Sequence, residues 1–177
     1  RRSFLAKASA GAVLASIPAR SVWARGFNNG SIVASSHASS WVGESPIALA
    51  SPGKWKNWEW ANKYDNVNTV FGGNVIKGAY TTHSDSSLTL YNVLMKPGGG
   101  KGKLGGPGNI NFYLVEMYAN AANHGITLGS ETIHYPVVEQ NQFSSAEDFA
   151  QYLYSQAIMD PSGVAAILAT TLNENHV

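Results

Sequence analysis

Cysteine is absent from the 177-residue chain, which excludes disulfides, thiolate metal sites and a cysteine nucleophile. Charge is scarce as well: Asp, Glu, Lys and Arg make up 13% of the residues, about half the usual share of a soluble domain. The formal net charge of +1 hides an uneven distribution. Arg1, Arg2, Lys7 and Arg20 all fall in the first 24 residues, and setting these four aside from the twelve basic residues leaves eight against eleven acidic ones, a net of −3. No sustained basic stripe remains, which argues against nucleic acid as a partner. Long hydrophobic runs are missing too. The N-terminal apolar stretch from Ala8 to Ile17 spans only about ten residues, too few for a stable membrane span. Two frequent catalytic signatures, the Gly-x-Ser-x-Gly elbow and the His-Glu-x-x-His pair, do not occur. What is plentiful is apolar side chain: hydrophobic residues make up 44% of the chain, enough for one domain with a real core plus an appendage.

Residues 1–24 read Arg1-Arg2-Ser3-Phe4-Leu5-Ala6-Lys7, then the mildly apolar stretch, then Val22-Trp23-Ala24. This resembles a twin-arginine (Tat) export signal, in which an arginine pair is followed by Ser-Phe-Leu and a lysine. Val22-x-Ala24 fits the small-residue rule for signal peptidase and predicts a mature start at Arg25. The resemblance implies a signal peptide over 1–24 and delivery to the periplasm, the cell surface or the exterior. The Tat route carries folded proteins. With no cofactor fingerprint in the sequence, no cofactor is expected, and rapid folding or co-export with a partner explains the route.

Residues 25–50, rich in Gly, Asn and Ser at first, read as a flexible lead segment, and His37 between serines as a solvated loop residue. The feature that organises the rest is the stretch Ser51 to Tyr64, which packs Trp55, Trp58, Trp60 and Tyr64 behind the turn signal Pro52-Gly53. Trp55, Trp58 and Tyr64 recur at near-helical spacing, whereas Trp60 falls on another face. Three readings follow. The rings can anchor this segment on a helical core, each burying on the order of 200 Å². They can form a platform for sugar rings. They can also pack against another protein chain, where Trp and Tyr are favoured anchors. The core reading leads, with Trp60 the ring left over for a partner. The run Ser51-Pro52-Gly53-Lys54-Trp55-Lys56-Asn57 resembles the Pro-Gly-x-Trp-Lys-Asn motif of a group of bacterial exported proteins, over roughly residues 50–125. In that group a Gly-Gly step and two or more helices follow, as Phe71-Gly72-Gly73 does here. Trp58 stands where the group commonly has His, so no role of that His is carried over.

Beyond Tyr64 the apolar spacing predicts helices. Asp65 to Tyr80 reads as a hairpin or an irregular cover. Ser84 or Asp85 is expected to cap a helix with Leu88, Tyr91, Leu94 and Met95 on one face, stopped by Lys96-Pro97-Gly98. Lys101 to Gly108 gathers glycines and lysines ahead of a helix. It lacks the closing Gly-Lys-Ser/Thr, and Pro107 removes an amide donor, so it reads as a mobile loop rather than a phosphate cradle. Asn109 or Asn111 is expected to cap a second helix through about Asn123, with Gly125 as its left-handed stop. Thr127 to Phe143 reads as a connector. Ser144-Ser145-Ala146-Glu147 reads as a capping box and Asp160-Pro161 as a second helix start. The fold class expected is mainly α: a compact bundle of about four helices over 51–177, with an irregular Trp-rich cover and at most a few short strands.

Chemistry is sparse. His124, Glu131 and His134 are the metal-ligating candidates, because loops at one end of a bundle can bring them together. They would make the chain a periplasmic metal-assisted hydrolase. A glycan-binding module using Trp55, Trp58 and Trp60 is a further alternative. The leading expectation is a non-enzymatic structural or surface-assembly protein acting through protein partners or self-assembly, with Trp55, Trp58, Trp60 and Tyr64 as interaction candidates and no catalytic residues.

Overall fold

A computed structural model of the chain describes residues 47–138 and 143–176. The candidate signal at 1–24 and most of the lead segment therefore lie outside the described residues. The fold is mainly α. Among the described residues it holds six helices: α1 (Pro52–Asn57), α2 (Val67–Phe71), α3 (Leu90–Met95), α4 (Ile110–Ala122), α5 (Ala146–Ala157) and α6 (Pro161–Glu174). Two antiparallel hairpins complete it, β1 (Ile76–Gly78) with β2 (Thr81–Thr82), and β3 (Thr127–Leu128) with β4 (Glu131–Thr132). No helix among the described residues is long and apolar enough to cross a membrane.

Helix α4 is the centre. Leu114, Val115, Met117, Tyr118 and Ala119 are all buried, and α4 packs against α1, α3, α5 and α6. Because it is enclosed by neighbours rather than lying on a surface, its apolar side chains are not confined to one stripe. Helices α5 and α6 pack on it and on each other through Phe149, Leu153, Ala157, Val164 and Leu168. The Tyr118 hydroxyl ties α4 to α5 by donating to Glu147 Oε1 at 2.8 Å.

Two asparagines within this apolar helix do work that hydrocarbon cannot. Asn120 accepts from the Ala50 amide at 2.7 Å and donates to the Ala50 carbonyl at 3.1 Å. Asn111 does the same to Ile76, at 2.9 and 2.7 Å, and also donates to Leu104 O. Each carboxamide acts as a short strand edge. It satisfies backbone groups that burial would otherwise leave unpaired, at a penalty of about 1–3 kcal/mol each. The first clamp holds the chain just before α1, the second holds β1.

Several local expectations are corrected by this geometry. The predicted helix from Ser84 shortens to α3. Thr89 and Asn92 form its capping box, while Asp85 instead closes a turn on the Ser87 amide and hydroxyl. Asn109 sits at the start of α4 with φ 65° but does not cap it, its Oδ1 accepting from Gly98 N at 2.6 Å, and Asn111 is spent on Ile76. Ser145, not Ser144, caps α5 through the Asp148 amide, whereas Asp160 caps α6 with Pro161 at its first position as expected. The glycine-lysine segment is a pinned loop, with Leu104 N on Lys96 O at 2.7 Å and Gly105 N on Gly98 O at 2.8 Å. Finally, residues 47–50 belong to the folded unit. Ala48 bridges His134 antiparallel, Leu49 bridges His176 in parallel, and both Leu49 and Ala50 are buried.

Candidate functional site

The aromatic stretch begins with a helix too short to stand alone. Ser51 caps it through the Lys54 amide, Pro52 starts it, and it ends after Asn57, where Trp58 is extended at φ −97° and ψ 147°. One turn of helix followed by extended chain points successive tryptophans in different directions. Trp55 is wholly buried at 0% exposure and Trp60 nearly so at 7%. Trp60 donates its ring N–H to Trp55 O at 3.2 Å, and the two rings meet edge-on with centroids 5.7 Å apart. Contacts then run inward from Trp60 to Tyr118, on to Phe71 and finally Tyr154, whose hydroxyl reaches Asn74 O. Trp58 touches Trp55 at 5.8 Å and stays half-buried at the outer end of this column. Trp60 is therefore not left over from the core as expected; of the three rings, Trp58 is the one that reaches the surface. A sugar platform needing Trp55, Trp58 and Trp60 on one exposed face does not exist here.

Next to Trp58 lies a feature that spacing did not disclose. Lys63 is only 2% exposed, unusual for a lysine. Its ammonium donates to Trp58 O at 2.9 Å and Glu59 Oε1 at 3.0 Å, and stands 5.1 Å from the Tyr91 ring centre and 5.8 Å from that of Tyr64. The ring faces attract the cation electrostatically, and the ion pair and carbonyl satisfy two of its three donors. Tyr64 and Tyr91 meet each other at 5.4 Å, and Tyr64 donates its hydroxyl to Glu59 Oε1 at 3.3 Å. Glu59, Tyr64 and Tyr91, with the backbone carbonyl of Trp58, thus form a ridge assembled around one internal cation. Tyr64 is 57% exposed while its orientation is fixed from beneath. The one sequence sign of this was a lysine embedded in an aromatic run; Tyr91 arrives from α3 and carried no sign.

The metal-ligating candidates separate. His124 and His134 come together, ring centroids 5.0 Å apart and edge to face. His124 Nδ1 accepts the Tyr135 amide at 3.0 Å, which occupies that lone pair. Glu131 is committed elsewhere: its carboxylate forms an ion pair with Lys54 that ties β4 to α1. Among the described residues no cluster of three His, Asp or Glu side chains is placed to hold a metal. Beside His124 a pocket of about 300 Å³ is lined mainly by Ala121, Ala122, Tyr135 and Pro136.

One buried acid stands apart from all of these. Glu116, on α4, is 1% exposed, and burial pushes its carboxyl up to about 9. Its Oε2 and the Trp55 ring N–H are buried without a hydrogen-bond partner among the described residues.

Comparisons with protein-family models, with curated proteins and with solved structures each return no match to this chain.

Proposed function

We propose that this chain is an exported, non-enzymatic assembly domain that works through protein contact, with Trp58, Tyr64 and Tyr91 as the contact ridge. The observation that carries the proposal is the ridge itself. Large rings are held half-exposed over a buried ammonium, so a partner meets them already ordered and little conformational entropy is lost on binding. The Arg1-Arg2-Ser3-Phe4-Leu5 pattern supports export by the Tat route, and the likeness to the Pro-Gly-x-Trp-Lys-Asn group supports an exported setting. The helices α3, α4, α5 and α6 are read as the bundle of about four helices, with the segment from Ser51 to Phe71 as its lid.

Light scattering coupled to gel filtration, over a rising concentration series, tests the proposal. The full chain is expected to gain mass with concentration. The W58A/Y64A double variant is expected to remain smaller at equal concentration with an unchanged circular dichroism spectrum. A full chain that stays monomeric at the highest concentration, or a double variant that assembles as the parent does, refutes it.

A further inference from the structure

The pinned loop between α3 and α4 borders, together with β1, a cleft of about 450 Å³. Its walls are mainly Lys77, Gly98, Gly99, Gly106, Gly108 and Asn109, so peptide groups and two polar side chains face it rather than hydrocarbon. What sets the cleft apart is which of these groups the fold has already used. The carbonyls are taken: Gly98 O accepts from Gly105 N, Gly106 O from Asn109 N, and Pro107 O from Ile110 N. The donors are left over. Among the described residues the amides of Gly99 and Gly106 meet no acceptor. Asn109 turns its Oδ1 to the Gly98 amide at 2.6 Å, as it must to accept from an N–H, and its Nδ2 then meets no acceptor among the described residues. Lys77 is exposed, and among the described residues no carboxylate pairs with it.

The surroundings carry charge of one sign. From Ser86 to Val115 the chain holds Lys96, Lys101 and Lys103 and no acidic residue. All three lysines are exposed and form no ion pair among the described residues. Asp85, beyond β2, and Asp160, ahead of α6, are each engaged locally, with Ser87 and with the Gly163 amide. Gly106, at φ 71° and with Ile76 O 2.7 Å from where a Cβ would stand, has to be glycine. The bonds made by Gly105 N, Gly106 O and Asn111 N on either side hold its amide in place.

We propose that this cleft binds a phosphomonoester group, received by the amides of Gly99 and Gly106, the Asn109 Nδ2 and the Lys77 ammonium. Four donors drawn from three stretches of chain suit an oxyanion whose oxygens point in several directions better than they suit a flat carboxylate. The lack of Gly-Lys-Ser/Thr excludes a nucleotide phosphate loop of the usual kind, but not a site for a single phosphate. The cleft volume leaves room for part of the group that carries it. This goes beyond the contact reading: it uses another surface and stands whether or not the ridge assembles.

Amide NMR spectra of the full chain, titrated with glycerol phosphate at an ionic strength of about 0.1 M held constant with chloride, test it. Saturable shifts centred on Lys77, Gly99, Gly106 and Asn109 are expected, with half-saturation at about 1 mM or below. Acetate is expected to give no saturable shift there. Asn109→Asp keeps the oxygen that the Gly98 amide needs and replaces the donor by a carboxylate oxygen, so binding is expected to weaken at least about tenfold. Lys77→Gln changes an exposed side chain and is expected to weaken binding about fivefold or more, whereas Lys101→Gln, in the same loop but not on the cleft wall, is expected to cost less than about twofold. The spectra themselves report whether each variant is folded. A second arm sediments the chain with phosphatidylcholine vesicles containing phosphatidic acid, whose headgroup is also a phosphomonoester. Saturation by glycerol phosphate assigns a soluble ligand. Vesicle retention that Lys77→Gln and Asn109→Asp both weaken, without a soluble response, assigns a lipid headgroup. No saturable response in either arm, a response to acetate equal to that to glycerol phosphate, or Lys101→Gln as harmful as Lys77→Gln overturns the proposal.

Discussion

Replacing Glu116 by Gln tests the physical account of the core most sharply. The carboxyl is 1% exposed on the central helix, its Oε2 has no partner among the described residues, and burial pushes it up to about 9 from an ordinary value of 4.5. The sign follows from proton counting. Below 4.5 both folded and unfolded chains hold the proton, and burial of the acid adds no charge penalty. Between 4.5 and about 9 the unfolded chain releases the proton and the folded chain retains it, so folded stability falls as pH rises. Each pH unit in that window corresponds to about 1.4 kcal/mol, so at neutral pH the penalty reaches about 3 kcal/mol, and at pH 5 it is under about 1 kcal/mol. Gln is nearly isosteric and does not titrate. E116Q is therefore expected to match the parent at pH 5 and to exceed it by about 3 kcal/mol at pH 7. Urea unfolding followed by tryptophan fluorescence reads this directly, because Trp55 and Trp60 are buried in the fold. A stability difference that does not grow between pH 5 and pH 7, or a Gln variant weaker at every pH, would falsify the reasoning.

Other substitutions address the remaining joints. Asn120→Ala removes both bonds to Ala50 and leaves buried backbone groups unpaired; a loss of about 2–4 kcal/mol in denaturant unfolding is expected, and a loss below about 1 kcal/mol refutes the clamp. Lys63→Met keeps the aliphatic stem but deletes the ammonium, so it is expected to destabilise by about 1–3 kcal/mol and to raise mobility at Tyr64; unchanged tyrosine side-chain NMR signals refute the internal-cation account. Gly73→Ala places a Cβ 2.5 Å from the Tyr154 hydroxyl, and displacing that ring is expected to lose about 1–3 kcal/mol; a neutral thermal scan counts against it. Glu131→Gln breaks a half-exposed ion pair with Lys54 and is expected to change stability by less than about 1 kcal/mol, so a larger loss means that Glu131 does more than pair with that lysine.

What was legible locally turned out to depend on how few side chains the signal required. Asp160-Pro161 opens α6 as read, because a cap needs only one carboxylate and the next amides. The apolar spacing of α5 and α6 located them for a similar reason: burial of a stripe is a property of the helix itself. The short elements were misread. Val67–Phe71 is helical, capped by Asn66 and ended at left-handed Gly72, and Thr127–Thr132 closes as a hairpin at Gly129, elements too short for periodicity to register.

The aromatic stretch divides along the same line. Composition alone indicated that rings within Ser51 to Tyr64 would anchor the segment on the core, since several large rings are costly to leave in water, and Trp55 and Trp60 do so. Which ring faces inward depended on where α1 ends, and that is set by the extended conformation at Trp58 rather than by spacing. The sequence by itself determined a mainly α domain, its long helices and the low overall charge. Only the tertiary structure decided that Trp60 enters the core and Trp58 stays at its edge, that Lys63 sits beneath Tyr64 and Tyr91, that Glu131 goes to Lys54, and that asparagines 111 and 120 hold distant backbone. Each of these is a contact between residues remote in the chain or turned by a local break, and periodicity, which records only one element at a time, carries no information about them.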